Sequence, residues 1–199
     1  MLNFRPLHGL CILLLLWAGS AWAALDPADV KQLVAEDSDE KIAGIRLLLA
    51  NGDKHAAAVL RAMNEDALFV AGAQIFYVQD EKAFDAVSGA ALPSVPDPAE
   101  SVVVNNRVRA KLENALAGLK LLDPDKDVRL AAARELQTNV GPVLLPILER
   151  ALAQESDARI KQLIAYAHAQ ASLQSEDAKV RLTAVQALGK SSSPEAKSL

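Results

Sequence analysis

The chain has 199 residues, of which 51% are hydrophobic and 4% aromatic, with one cysteine and a net charge of −4. A mild acidic balance without a basic cluster speaks against a nucleic-acid binder. One cysteine excludes an internal disulfide framework, so folding relies on apolar packing.

Residues 1–23 read as a secretory signal peptide. Arg5 and His8 precede an apolar run from Leu10 to Trp17, and small residues follow up to Ala21-Trp22-Ala23, an Ala-x-Ala cleavage site. The run is shorter than the roughly 20 residues a membrane span needs. Cys11 lies at the start of the run behind Leu10, which is the wrong place and neighbour for lipidation. Cleavage after Ala23 would remove both tryptophans, Phe4, the cysteine and Arg5 but no acidic residue, making the chain one unit more negative. The reading is of an exported, periplasmic chain with no span after Ala23.

One pattern recurs through the rest: Asp, any residue, a basic residue, an aliphatic residue. It occurs at Asp39-Glu-Lys41-Ile42, Asp127-Val-Arg129-Leu130, Asp157-Ala-Arg159-Ile160 and Asp177-Ala-Lys179-Val180, each followed by an Ala/Leu-rich run at helical spacing. Recurrence of a helix-opening signal predicts a stack of similar helical units.

Residues 24–66 hold the first helices. Asp26-Pro27 caps a helix to about Ala35. Asp39 opens the next, with Ile42, Ile45, Leu48 and Leu49 on one face, closed by Asn51-Gly52. Asp53 caps a third, with Ala56, Ala57, Leu60 and Met63 inward.

The helical period then lapses over residues 67–104. Leu68-Phe-Val70 and Ile75-Phe-Tyr-Val78 flank Ala-Gly72-Ala-Gln and predict a β-hairpin. Ser88-Gly89 is a turn, Pro93, Pro96 and Pro98 mark a loop, and Val102–Val104 could add a strand. Phe69, Phe76, Tyr77 and Phe84 are four of the five aromatic residues after Ala23. Insertions carry function more often than scaffolds do.

Helix resumes at Asn105 or Asn106 and fills residues 105–190. Val108, Leu112, Ala115, Leu116 and Leu119 line one face. Asp123-Pro-Asp125 ends this helix and caps the next, which carries Val128, Ala132 and Leu136. Pro142 starts a helix with Leu144, Ile147, Leu148 and Ala151 inward, and Asp157 and Asp177 open the last two. Residues 191–199 resemble the start of a further helix, a truncated or disordered tail.

Little in the sequence suggests catalysis. Asp123-Pro-Asp125-Lys-Asp127 opens like a calcium loop, but Val128 stands where glycine should be and Arg134 where glutamate should be. His55 and His168 fall in different units without zinc-ligand spacing. No nucleophile elbow and no phosphate loop occur. The expectation is a non-enzymatic chain without metal or cofactor. Asn105-Asn106-Arg107-Val-Arg109 could bind a polar or anionic group, or could simply cap a helix with its arginines in water.

The Asp-x-Arg/Lys-Val/Ile…Ala-x-x-Leu units resemble HEAT-like repeats, including the short type found in phycobilisome-lyase-like proteins. The order of features is more specific: a leader, one helical unit, the insertion with Phe84-Asp85-Ala-Val-Ser-Gly89, then Val104-Asn-Asn-Arg107-Val-Arg109 and Leu121-Leu-Asp-Pro124-Asp-Lys-Asp-Val-Arg129-Leu-Ala-Ala-Ala133. This order resembles the N-terminal extracytoplasmic extension of the urea-type ABC transporter permease subunit, related to branched-chain amino acid permeases. The resemblance spans the chain after the leader and implies an all-α fold, a HEAT-like α-solenoid of antiparallel helix pairs with a small β-hairpin insertion. It implies as partners a transporter permease, a periplasmic solute-binding protein, or both, and membrane contact only through a permease domain absent here or an uncleaved leader. With that domain absent, the chain reads as a fragment or a detached extension. Phe69, Phe76, Tyr77, Asn105, Asn106 and Arg107 are the candidate partner contacts, with core filling under the hairpin as the competing reading of the three aromatics. A free periplasmic adaptor is the alternative, and a lyase-like enzyme a more distant one.

Overall fold

The computed structural model describes residues 24–51, 54–138 and 140–190. Residues 1–23, read above as a leader, residues 191–199, read as a tail, and Gly52, Asp53 and Asn139 lie outside them. The described residues are mostly helical with one small antiparallel sheet: α1 (Pro27–Leu33), α2 (Ser38–Asn51), α3 (Lys54–Asn64), β1 (Leu68–Ala71), β2 (Gln74–Gln79), β3 (Lys82–Asp85), β4 (Glu100–Ser101), α4 (Asn106–Leu119), α5 (Lys126–Glu135), α6 (Leu145–Gln154), α7 (Ala158–Leu173) and α8 (Ala178–Lys190), with 3-10 turns at Lys120–Leu122 and Pro142–Leu144.

The caps explain where the helices begin. Asp26 accepts from the Ala28 N–H at 2.8 Å and Pro27 follows at the first helical position. Asp157 accepts from Arg159 and Ile160 at 3.0 and 3.1 Å, and Asp177 from Lys179 at 2.8 Å. The other two repeated aspartates are not caps. Asp37 caps α2, accepting from Asp39 at 2.7 Å and Glu40 at 3.1 Å, and Asp125 caps α5, accepting from Asp127 at 2.8 Å. Asp39 and Asp127 sit inside the first turn, where the helix dipole favours an acid. The frame shared by all four helices is therefore a capping Asp followed four positions on by a cation: Asp37 and Lys41, Asp125 and Arg129, Asp157 and Lys161, Asp177 and Arg181.

Three of those cations hold backbone carbonyls. Arg129 donates through Nη1 to the carbonyls of Asp123 and Pro124, both at 2.9 Å. Arg181 repeats the fork on Ser175 and Glu176, both at 2.8 Å. Each arginine satisfies the two carbonyls just before its own cap and so fixes the angle at which the chain enters the helix. Lys41 is buried and donates through Nζ to the Val103 carbonyl at 2.7 Å, fastening α2 to the segment that leaves the sheet.

The insertion is larger than a hairpin. The sheet runs β3-β2-β1-β4, all antiparallel. The expected hairpin is its centre, with Leu68 opposite Tyr77 and Phe69 opposite Phe76, and Gly72 takes φ +60° in the turn. β3 was not expected, because Lys82-Ala-Phe-Asp85 lacks β-branched residues. It is joined to β2 by Asp80 and Glu81, both at positive φ, the backbone of a tight two-residue hairpin turn. The edge strand falls on Glu100–Ser101, not Val102–Val104; Val102 N–H still donates to Leu68, while Val103 is 77% exposed.

By the two-residue period, Leu68, Tyr77 and Phe84 share the face that joins the helical core, and Phe69 and Phe76 share the other. β1 and β2 pack on α3. Among the helices, α1 packs on α2, α4 across α2 and α3, α7 on α5 and α6, and α8 on α7. One continuous cluster of Leu, Ile, Val and Ala runs from Leu25 to Ala171.

Two glycines mark the closest helix contacts. A Cβ at Gly118 would lie 3.0 Å from Leu144 and 3.1 Å from Ile147, and one at Gly44 would lie 3.0 Å from Gln32 and Leu33 side-chain atoms and 3.1 Å from the Leu33 nitrogen. Gly44→Leu is expected to push α1 off α2 and to cost about 1–3 kcal/mol by overpacking. Limited proteolysis reads it: cleavage within residues 27–33 should accelerate before the remaining helices are cut. Unchanged protection of that segment would contradict the close approach.

Candidate functional site

The six candidate contacts separate in space and in role. Phe76 is fully buried and Tyr77 is 4% exposed. Phe76 stacks on Phe69 with ring centroids 5.6 Å apart, and Tyr77 on Phe84 at 5.4 Å. Burial pushes the Tyr77 phenol above its ordinary range. These two rings build the sheet and present no open surface, because its pairing turns one to each covered face; Phe69 is half-buried beside them.

Asn105 is the N-cap of α4. Its Oδ1 accepts from Val108 N–H at 3.0 Å and its Nδ2 donates to Ser38 Oγ at 2.8 Å. Asn106 is exposed at the first position of the helix. The arginines do not simply face water. Arg107 pairs with Asp39 in the first turn of α2, and Arg109 forks onto Asp66 at 2.8 and 3.0 Å and also reaches the Asn64 carbonyl. The Asn105–Arg109 stretch is thus a clasp that holds the start of α4 against α2 and the end of α3.

Arg107 has a second setting. With Asp39 it lines a groove of about 1100 Å³ bounded by α2, α4, the Pro142–Leu144 turn, α6 and the α7–α8 connection. Ile42, Pro142, Leu145 and Pro146 supply apolar wall, and Arg46 and Lys111 supply cations. Neither Arg46 nor Lys111 forms an ion pair or side-chain hydrogen bond among the described residues. Glu176 and Asp177 stand on the α7–α8 bank. That bank is fixed: Arg181 holds the Ser175 and Glu176 carbonyls, and Gln174 Nε2 donates to the Val140 carbonyl at 3.1 Å. An amphipathic channel with cations on one side and acids on the other suits an extended polypeptide of mixed charge.

Sequence reasoning reached this place only through Arg107. Arg46, Lys111, Leu145 and Glu176 come from four separate helices or turns, and nothing local in the chain connects them.

A second cluster is structural. Glu155 is buried with its side chain 1% exposed, and it accepts from Arg129 Nε at 2.8 Å, Ser156 N–H at 2.9 Å and Asp157 N–H at 2.8 Å. The Arg129 hydrogen bond, against the opposing cost of burial and with the Asp157 and Ser156 amides, holds its carboxyl below the usual range. Lys126 pairs with Asp157 at 2.7 Å across the same junction. Among the described residues, no group of three or more His, Cys, Asp or Glu is placed to hold a metal ion, and no helix is long and apolar enough to cross a membrane.

What fold and groove define is a mostly helical protein with a small four-stranded antiparallel sheet and one long amphipathic channel. No family model, no curated protein and no solved structure matches the chain.

Proposed function

We propose that this chain is a non-catalytic, extracytoplasmic helical-repeat domain that binds a partner polypeptide in the groove between α2, α4, α6 and the α7–α8 connection. The observation that carries the reading is the pair of uncompensated cations, Arg46 and Lys111, beside the apolar wall of a channel of about 1100 Å³. A buried hydrophobic strip flanked by charge gives affinity from the strip and orientation from the charges. The recurring Asp-to-cation frame and the packing of α1 on α2, α6 on α7 and α7 on α8 support a HEAT-like α-solenoid. The leader read at residues 1–23 supports a periplasmic setting. The resemblance to the extension of urea-type permeases supports a role in an ABC importer, with the solute-binding protein or the permease as the docked partner.

The test is capture of a urea-type importer's periplasmic solute-binding protein by the purified chain. Reversing Arg46 and Lys111 together to Glu is expected to weaken capture about tenfold or more, with the helical circular-dichroism signal unchanged. No capture by the parent chain, or equal capture by the double variant, overturns the proposal.

A further inference from the structure

The contact between α7 and α8 leaves a cavity of about 380 Å³ that shares no residue with the groove. Its wall is mainly apolar, from Leu152, Ala169, Val180 and Ala184. Four polar side chains also line it: His168, Ser172, Lys179 and Thr183, whose hydroxyl is already engaged, donating to the Lys179 carbonyl at 2.9 Å. Ser172 is 3% exposed, and its Oγ is buried without a hydrogen-bond partner. His168 Nε2 is likewise buried without a hydrogen bond; Glu149 Oε1 lies within ion-pair range at 3.6 Å but beyond hydrogen-bond distance. Lys179 forms no ion pair among the described residues.

Two buried polar atoms left unsatisfied on the wall of one cavity cost free energy that a protein rarely leaves uncompensated. A bound group that hydrogen-bonds both would remove that cost. The cavity volume falls within the range of small-ligand sites, and an apolar wall with a few polar groups is the usual composition of such sites. We infer that the α7–α8 cavity is a binding site for a small amphiphile with an aliphatic body and a carboxylate head. The aliphatic part lies against Leu152, Val180 and Ala184. The carboxylate accepts from Ser172 Oγ and His168 Nε2 and is complemented by the Lys179 charge. This assignment goes beyond the docking role of the groove and stands whether or not that role does.

Octanoate is the probe. Titration of the full chain with octanoate, followed calorimetrically and by the rise in thermal midpoint, should show saturable binding to one site. Octanol, which keeps the chain and lacks the charge, should bind about tenfold more weakly, and Lys179→Glu should impose a loss of similar size. Ser172→Ala should weaken octanoate about tenfold. Ala169→Leu, which fills the cavity, should abolish binding. Lys179 is exposed, so its variant reads the site even if a cavity-filling variant fails to fold. Absence of saturable octanoate binding overturns the inference. So does binding that is indifferent to Lys179→Glu and Ser172→Ala, or an octanol affinity equal to that of octanoate.

Discussion

Phe76→Ala is expected to destabilise the protein by about 3–5 kcal/mol, the range for removing a fully buried phenylalanine. The ring has no exposed surface and stacks on Phe69 at 5.6 Å. Removing it leaves a cavity on the sheet face that Phe69 and Phe76 share, where the two are direct cross-strand partners. Denaturant unfolding reads the result as a lower midpoint with the slope kept. Partner capture measured well below the new midpoint should fall only with the folded fraction. A capture defect at full folding, with stability unchanged, would return Phe76 to the contact surface and contradict its burial.

Glu155→Ala is expected to cost about 2–4 kcal/mol near neutral pH, because it strips the charged acceptor from the Arg129 guanidinium and from two backbone amides at once. The loss should depend on pH with a definite sign. The folded-state carboxyl titrates below its ordinary value of 4.5. Its contribution is therefore fully present above about pH 4.5 and is lost as pH falls through the lower, folded-state value. The parent and the variant should differ most near neutrality and converge on acidification. Thermal midpoints across pH 3 to 7 would check this; a constant gap over the whole range would show that Glu155 acts by packing and not through its charge.

Much of the helical part was legible because its signals are local. Asp157, Asp177 and Pro142 stand where a cap or a first-position proline belongs, and the inward stripes of α2, α4 and α6 follow the 3.6-residue period. In α2 the repeated motif points two residues past the cap, to Asp39 and not Asp37, whereas in α5 Asp125 stands at the cap, as the Asp123-Pro-Asp125 reading expects. Both caps are followed two positions later by a second aspartate, Asp39 and Asp127, which mimics a cap when only sequence is seen. The spacing from the capping Asp to the cation four positions on, as in Asp125 and Arg129, was the signal that could have corrected it. β3 escaped because its strand character comes from pairing with β2 and not from its own residues. For Phe76 and Tyr77 the sequence offers both core filling under the hairpin and partner contact, since alternation tells which residues share a face and not whether both faces are covered; their burial fits core filling. The groove was invisible for a different reason: Arg46, Lys111, Leu145 and Glu176 meet only after the helices have packed.

Arg181 has a consequence for kinetics. By gripping the carbonyls of Ser175 and Glu176 it immobilises one side of the channel before any visitor arrives, and Gln174 tethers the same stretch to Val140. On the proposed docking role, a peptide entering there would meet a finished mould, so little ordering of the receptor would accompany association. Encounter should then be limited by diffusion and orientation, with differences among peptide variants appearing mainly in how long each one stays.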